Sequence, residues 1–348
     1  MEKKARQFLE DLLTTPSPTG SEIAVQNIVK EYIKDKTVFS NIDNHGNLIS
    51  TKGNLINGKK IVLMGHCDQL GFIVTHIDEK GYIYFNTVGG WDVAQIIGQK
   101  VVVYGKKKSV DGIISRKAIH LLKPDERSKL PKATDLWIDI GSKSKKETNK
   151  LIKVGDYATL DLSVKELRNG TITASGIDDK AGVWICAEAF RRLESKKLKH
   201  KIYLVSSVQE EIGGGGAATS TFGIDPHIGI AVDVTHTSDC PTISAKEVGD
   251  VKLGGGPVIQ VGPNMTDFVS KKLIKLTKKK LKIKPQVIAS GRMTGTDASK
   301  IKVTGRGVAT GLIGIPNRYM HSPVEMVNLD DLEKCVQLLV EFCMSEFE

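Results

Sequence analysis

The chain has 348 residues, 40% of them hydrophobic, and a formal net charge of +10, with a mean hydropathy of −0.15. That length supports a large core and about two domains. No apolar run approaches the ~20 residues needed to cross a bilayer, and the odd, scattered cysteines Cys67, Cys186, Cys240, Cys335 and Cys343 fit neither a disulfide framework nor a Cys-x-x-Cys zinc site.

Met1-Glu2-Lys3-Lys4 leads into an amphipathic run without an apolar secretory segment, so the expected compartment is the cytoplasm. Residues 4–14 and 22–36 read as amphipathic helices, the second capped by Ser21. Strands follow at 37–42 and 47–51 around an Asn44-His45-Gly46-Asn47 turn. Lys60-Ile61-Val62-Leu63-Met64 is a continuous apolar run of the kind buried in a central sheet, and it ends at Gly65-His66-Cys67-Asp68.

From Leu70 to about 165 the texture changes to short β-rich runs at 71–77, 82–87, 99–105, 110–114, 135–140 and 157–162, with turn signals between them. Such spacing predicts a small β-barrel or sandwich over 70–165, inserted between two parts of a catalytic domain at 1–69 and 166–348. A helix is predicted over 181–193, a strand at 201–208 leading to Glu210-Glu211 and four glycines, and a strand at 228–232 ending at Asp233. Alternating strands and helices imply a three-layer α/β/α fold. The lysine excess gathers between Lys271 and Lys284, beside Phe268, Leu273 and Leu276 as a buried stripe. Without interleaved aromatics it reads as a solvated helix face, not a nucleic-acid surface. Helix 329–343, capped by Asn328, closes the chain.

His66, Asp178, Glu210, Glu211, Asp233 and His321 all fall near predicted strand ends or helix starts, and sites in open α/β sheets form outside the carboxyl ends of strands. Taken singly, each also reads as a cap or a hydrogen-bonded surface residue. Taken together, two histidines and several carboxylates without a thiolate suit two divalent cations, whether zinc, cobalt or manganese. A carboxylate can bridge such a pair at ~3.5–4 Å and leave a shared water of strongly lowered pKa.

The segments Gly65-His66-Cys67-Asp68-Gln69-Leu70-Gly71-Phe72, Val88-Gly89-Gly90-Trp91-Asp92, Asp178-Asp179-Lys180-Ala181-Gly182, Glu210-Glu211-Ile212-Gly213, Gly295-Thr296-Asp297-Ala298 and Arg318-Tyr319-Met320-His321-Ser322-Pro323 occur in this order. On them the chain resembles the M42 family of metallo-aminopeptidases, the TET peptidases. The resemblance implies that Asp178 bridges two metals, with His66 and Asp233 on one and Glu211 and His321 on the other. It further implies Glu210 as general base acting on the bridging water, Asp68 as the carboxylate orienting His66, short peptides as substrates, and a homo-oligomer of twelve subunits built through the inserted β domain. Alternatives on the same scaffold are another metal-dependent amidohydrolase, such as a deacylase or carboxypeptidase, and a non-catalytic oligomeric container. Substrate preference is expected to lie in loops around 254–257 and 294–299. Two positions depart from the family pattern: Gln69 stands where many relatives have Glu, and Lys180 where many have Arg.

Overall fold

The computed structural model describes residues 1–53, 58–194 and 198–347. Two amphipathic helices, Lys3–Thr14 (α1) and Ile23–Ile33 (α2), open the chain. Ser21 does not cap α2: the residue before the helix is Glu22, which makes no cap bond, and its carboxylate accepts from the Gly20 N–H at 2.7 Å instead. Phe39–Ile42 (β1) and Leu48–Lys52 (β2) form an antiparallel pair, followed by Lys60–His66 (β3).

Next come Gly71–Ile77 (β4), Ile83–Val88 (β5), Lys100–Tyr104 (β6), Ser109–Ser115 (β7), Trp137–Asp139 (β8) and Tyr157–Leu160 (β9). They close into a barrel in the order β4-β5-β8-β7-β6-β9. Closure removes the sheet edges, and alternate residues such as Phe72, Val74, Val101 and Val103 fill a separate core.

Lys165–Glu166 (β10) and Thr171–Ala174 (β11) lead back into the main domain. Ile177–Arg192 (α3) is buried from Ile177 through Phe190, which its mixture of Ala, Gly, Val, Ile and Trp allows on every face. Then follow Lys201–Ser207 (β12), Gly215–Ile224 (α4), Ile228–His236 (β13), Val258–Val261 (β14), Asp267–Leu276 (α5), Gln286–Ala289 (β15), Asp297–Val303 (α6), Ala309–Asn317 (β16), Glu325–Asn328 (β17) and Leu329–Cys343 (α7), with short helical turns between some of them. Asn328 caps α7 as expected, its side chain accepting from the Asp330 N–H at 2.8 Å. Phe268 is 51% exposed, so the buried stripe of α5 runs through Val269, Leu273 and Leu276.

Among the described residues the central sheet runs β1-β2-β12-β3-β13-β16-β14-β15, with β12, β3, β13 and β16 parallel. Strand β3 explains the layering. Ile61 and Leu63 enter the core shared with α1, α2, α3, α5 and α7, while Val62 and Met64 enter the core under α4 and α6. The chain is thus a three-layer α/β/α domain carrying a closed six-stranded barrel. No helix among the described residues is long and apolar enough to cross a membrane.

Candidate active site

Parallel strands β3 and β13 pair only as far as Met64 and Ala231, although β13 stays paired with β16 through His236. Beyond that point the two strands are no longer hydrogen-bonded, and His66 and Asp233 lie just past the end of their shared ladder. Asp233 therefore lies inside its strand and not after it. The helix side approaches just as closely: a Cβ on Gly65 would meet the backbone of Gly182 and Val183 at 2.7 Å. Only glycine lets α3 sit this near the sheet, and the contact brings the start of α3, Asp178 and Asp179, up to His66. Asp179, not Asp178, serves as the helix cap: its carboxylate accepts from the Gly182 N–H at 3.1 Å and the His66 N–H at 3.2 Å.

The glutamate pair does not extend β12. The strand stops at Ser207, Gln209 takes φ 60°, and Glu210–Ile212 forms a single tight turn. Asp68 holds that turn, its carboxylate accepting from the N–H groups of Glu210 at 3.1 Å and Glu211 at 3.2 Å and from the Thr19 hydroxyl at 2.9 Å. Toward His66, the Asp68 carbonyl lies 3.1 Å from Nδ1 and its carboxylate 3.5 Å away. The backbone thus makes the nearer contact to the ring, leaving Nε2 to face the cavity.

His66 Nε2 lies 3.2 Å from Asp178 Oδ1, 3.9 Å from Glu210 Oε2 and 4.0 Å from Asp233 Oδ1. On the other side His321 Nε2 lies 3.3 Å from Asp178 Oδ2 and 3.6 Å from Glu211 Oε2. All seven residues predicted for the site therefore meet. Two triads, His66-Asp178-Asp233 and Asp178-Glu211-His321, each bring their ligand-type atoms within 4.8 Å of one another, and Asp178 belongs to both. The inserted domain completes the rim, since the Gly90 carbonyl is 3.0 Å from His321 Nδ1. That contact leaves Nε2 turned toward Asp178.

The charges here are poorly matched without a cation. Burial, reinforced by the Asp178 charge, raises the Glu211 carboxyl well above its ordinary range, and burial with the Asp179 charge does the same to Asp233. Burial pushes Glu210 up to about 7. Asp178 is also buried, yet hydrogen bonds with His321 and His66 hold it below the usual carboxylate range. Glu211 Oε1 is buried without a hydrogen-bond partner. A set of crowded carboxylates with an unpaired oxygen, flanked by two imidazoles, fits divalent cations.

Three further acids support the site that the sequence reading gave no role. Glu325, wholly buried, accepts from the N–H groups of Asp178 at 3.0 Å and His321 at 2.8 Å, and burial followed by the Asp178 charge raises it to about 8. The signal was an acid four residues after His321 at the opening of a strand. Asp297, at the start of α6, accepts from Ser207 Oγ at 2.5 Å and is raised by burial to about 6. Asp179 is the third. Gln69 and Lys180 touch each other: Lys180 Nζ donates to Gln69 Oε1 and, at 2.7 Å, to the Thr15 carbonyl, tying the Thr15–Thr19 loop to the base of α3.

His66, Asp178, Glu210, Glu211, Asp233 and His321 line a cavity of about 640 Å³, together with Met293, Thr294, Gly295, Thr296, Ser299, Lys300 and His236. The 294–299 loop lies where the sequence placed it, but 254–257 does not line this cavity. The N–H groups of Gly254 and Gly256 instead bind the Asp331 carboxylate at 2.7 and 2.6 Å.

A family model described as M42 glutamyl aminopeptidase matches residues 46–338. The chain is 32% identical to a lysyl aminopeptidase of Pyrococcus furiosus, covering 95% of this chain and 94% of that one. It superposes with a TM-score of 0.92 and 33% identity on a TET aminopeptidase from a marine sediment archaeon of the Thaumarchaeota, over 98% of this chain and 96% of the other. The Pyrococcus horikoshii TET1 peptidase, described as assembling into a tetrahedron or a large octahedral shell, gives a TM-score of 0.86 at 31% identity, over 97% and 99% of the two chains.

Proposed function

Because the chain belongs to the M42 family of aminopeptidases and is a peptidase, we propose that it removes N-terminal residues from short peptides with the help of two divalent cations. One observation carries the reading: Asp178 turns Oδ1 toward His66 and Oδ2 toward His321, so a single carboxylate serves two ligand sets. His66, Asp178 and Asp233 would hold one cation, and Asp178, Glu211 and His321 the other. Zinc, cobalt and manganese all suit imidazole and carboxylate donors. When bound, the pair supplies Lewis-acid polarisation of the peptide carbonyl and of the attacking water.

Glu210 is the general base in this reading. Its carboxylate lines the same cavity as the two triads, with Oε2 3.9 Å from His66 Nε2, and it takes a proton from water and returns it to the departing amine. Asp68 positions it by binding the N–H groups of its turn. Asp179 and Glu325 fix the backbone of His66, Asp178 and His321. The barrel over 70–165 makes subunit contacts in a hollow homo-oligomer of twelve subunits, a role supported by the exposed Ile119, Leu121 and Leu130 on its surface. The five free thiols suit a reducing cytoplasm.

The test compares tripeptides with a free amino terminus against the same peptides acetylated there, under zinc, cobalt and manganese. Cleavage of the free peptides alone is expected, and loss of at least ~10²-fold in turnover with metal retained in Glu210→Gln. Equal cleavage of the blocked peptides, or near-normal turnover of Glu210→Gln, would overturn the reading.

A further inference from the structure

Strand β12 carries the chain to the glutamate turn, so whatever ends that strand decides where Glu210 falls. Its ladders stop just short of the turn: the last pair with β2 is Ser206 with Leu48, and the last with β3 is Ser207 with His66. Val208 lies beyond both, 1% exposed, and its buried N–H needs a partner from outside the sheet.

Asn47, on the turn between β1 and β2, is that partner. Its Oδ1 accepts from the Val208 N–H at 3.1 Å, while its Nδ2 donates to Asp43 Oδ2 at 2.8 Å and to Thr219 Oγ1 at 3.3 Å. Two acceptors around the nitrogen settle which end of the amide meets Val208. Asp43 is fixed in turn, since its Oδ1 accepts from the N–H groups of His45, Gly46 and Asn47, each at 2.9 Å. The whole turn is wound on one carboxylate, and Asn47 stands wholly buried at its end.

The start of α4 closes on the same atoms. The Gly216 N–H donates to the Val208 carbonyl at 3.2 Å, and a Cβ on Gly216 would lie 2.3 Å from that oxygen and 2.4 Å from Asn47 Oδ1. Both backbone groups of Val208 are thus engaged before the chain enters Gln209 at φ 60°. Asp68 holds the far side of the bend through the N–H groups of Glu210 and Glu211. Asn47 holds the near side, and it is not one of the residues lining the catalytic cavity.

The structure assigns Asn47 as a positioning residue that sets where β12 ends and so where the Glu210 carboxylate stands. The assignment rests on the reading of Glu210 as general base and extends it to the first strand pair of the chain. Placement matters there, because a reacting group displaced by about 1 Å loses on the order of 10²-fold in rate.

The experiment uses the full-length protein at saturating metal with two leucyl anilides, one carrying a para-nitro and one a para-methoxy group. Methoxyaniline is the more basic leaving group and depends more on the proton that Glu210 returns. The methoxy-to-nitro ratio of kcat/KM therefore reads proton delivery, and the fraction of folded or metal-loaded enzyme does not move it. Asn47→Ala should lower kcat roughly 10- to 100-fold with KM within about threefold, and should lower the ratio. Asn47→Asp keeps the acceptor for Val208 but sets a carboxylate against Asp43, and should fall likewise. Combining Asn47→Asp with Asp43→Asn exchanges donor and acceptor across the pair, and should recover most of both kcat and the ratio. An unchanged ratio in Asn47→Ala, or a combined variant that regains the wild-type urea midpoint without regaining kcat, overturns the role of Asn47 and leaves the aminopeptidase standing. No cleavage of either anilide by the wild type under zinc, cobalt or manganese overturns both.

Discussion

The two histidines of the site present the same Nε2 to the same aspartate, yet the regions that hold them are built differently. His66 ends a strand inside the central sheet, and its side chain is 2% exposed. His321 lies in a loop at φ 60°, close to Tyr319 at φ 62°, and its side chain is 35% exposed with its ring against Gly90 of the inserted domain. Left-handed backbone costs an ordinary side chain about 1–3 kcal/mol and persists only where surrounding contacts impose it. One half of the site is therefore a by-product of sheet and helix packing. The other is assembled from turns and from a separate domain, and it depends on the bonds that pin those turns.

The widest separation between the halves is expected from His66→Ala and His321→Ala. Each removes a candidate donor and should cost at least the ~10- to 100-fold in metal affinity typical of losing a supporting partner. His66→Ala also opens space in a packed, buried strand end, so its urea midpoint should fall. His321→Ala should leave that midpoint nearly unchanged. In the wild type, titration with a chelator should remove metal in two steps, with the half-exposed His321 side emptying first. One concerted step, or equal stability losses in the two variants, would mean that the halves are not distinct.

Glu325 links the two halves, because one carboxylate accepts from both Asp178 and His321 backbone N–H groups. Glu325→Ala orphans two buried donors at about 1–3 kcal/mol each, so both stability and the affinity of both metal steps should drop. Glu325→Gln retains one acceptor oxygen and should recover part of the loss. If the alanine variant titrates metal as the wild type does, Glu325 does not couple the regions.

The same contrast explains what could be read in the sequence. The buried half announced itself: a continuous apolar strand ending at His66 and Asp68, and an acid pair before a helix of small residues, follow from period and placement. The glutamate pair was visible from the glycines after it, though it sits on a turn and not on the strand. Glu325 was missed because its partners are backbone groups, one of them 147 positions away, and an acid four residues after His321 does not by itself say which N–H groups it binds. The glycines at 254–257 suggested a substrate loop, but the N–H groups of Gly254 and Gly256 serve Asp331 on α7. Residues that act through their own side chains at element ends were legible. Those that act through distant backbone were not.

A matched pair of glycine substitutions sharpens the contrast at the low end of effect size. Gly65→Ala precedes His66, where the added Cβ would lie 2.7 Å from the backbone of Gly182 and Val183. Backbone in a packed helix cannot swing aside, so the strand and α3 must part, at a cost of about 1–3 kcal/mol for overpacking. Gly90→Ala places its Cβ 3.2 Å from His321 Nδ1 and 3.4 Å from Cε1. The obstacle there is the edge of a half-exposed ring, which can yield by a few tenths of an ångström, and Gly90 is not among the positive-φ glycines. Gly90→Ala should therefore keep its urea midpoint and the tighter metal step, and weaken only the second step by a few-fold, on the order of 0.5–1 kcal/mol. Gly65→Ala should lose stability while shifting the tighter step. Reversal of that pattern in paired urea and metal titrations would show that the loop half, and not the sheet half, is the rigid one.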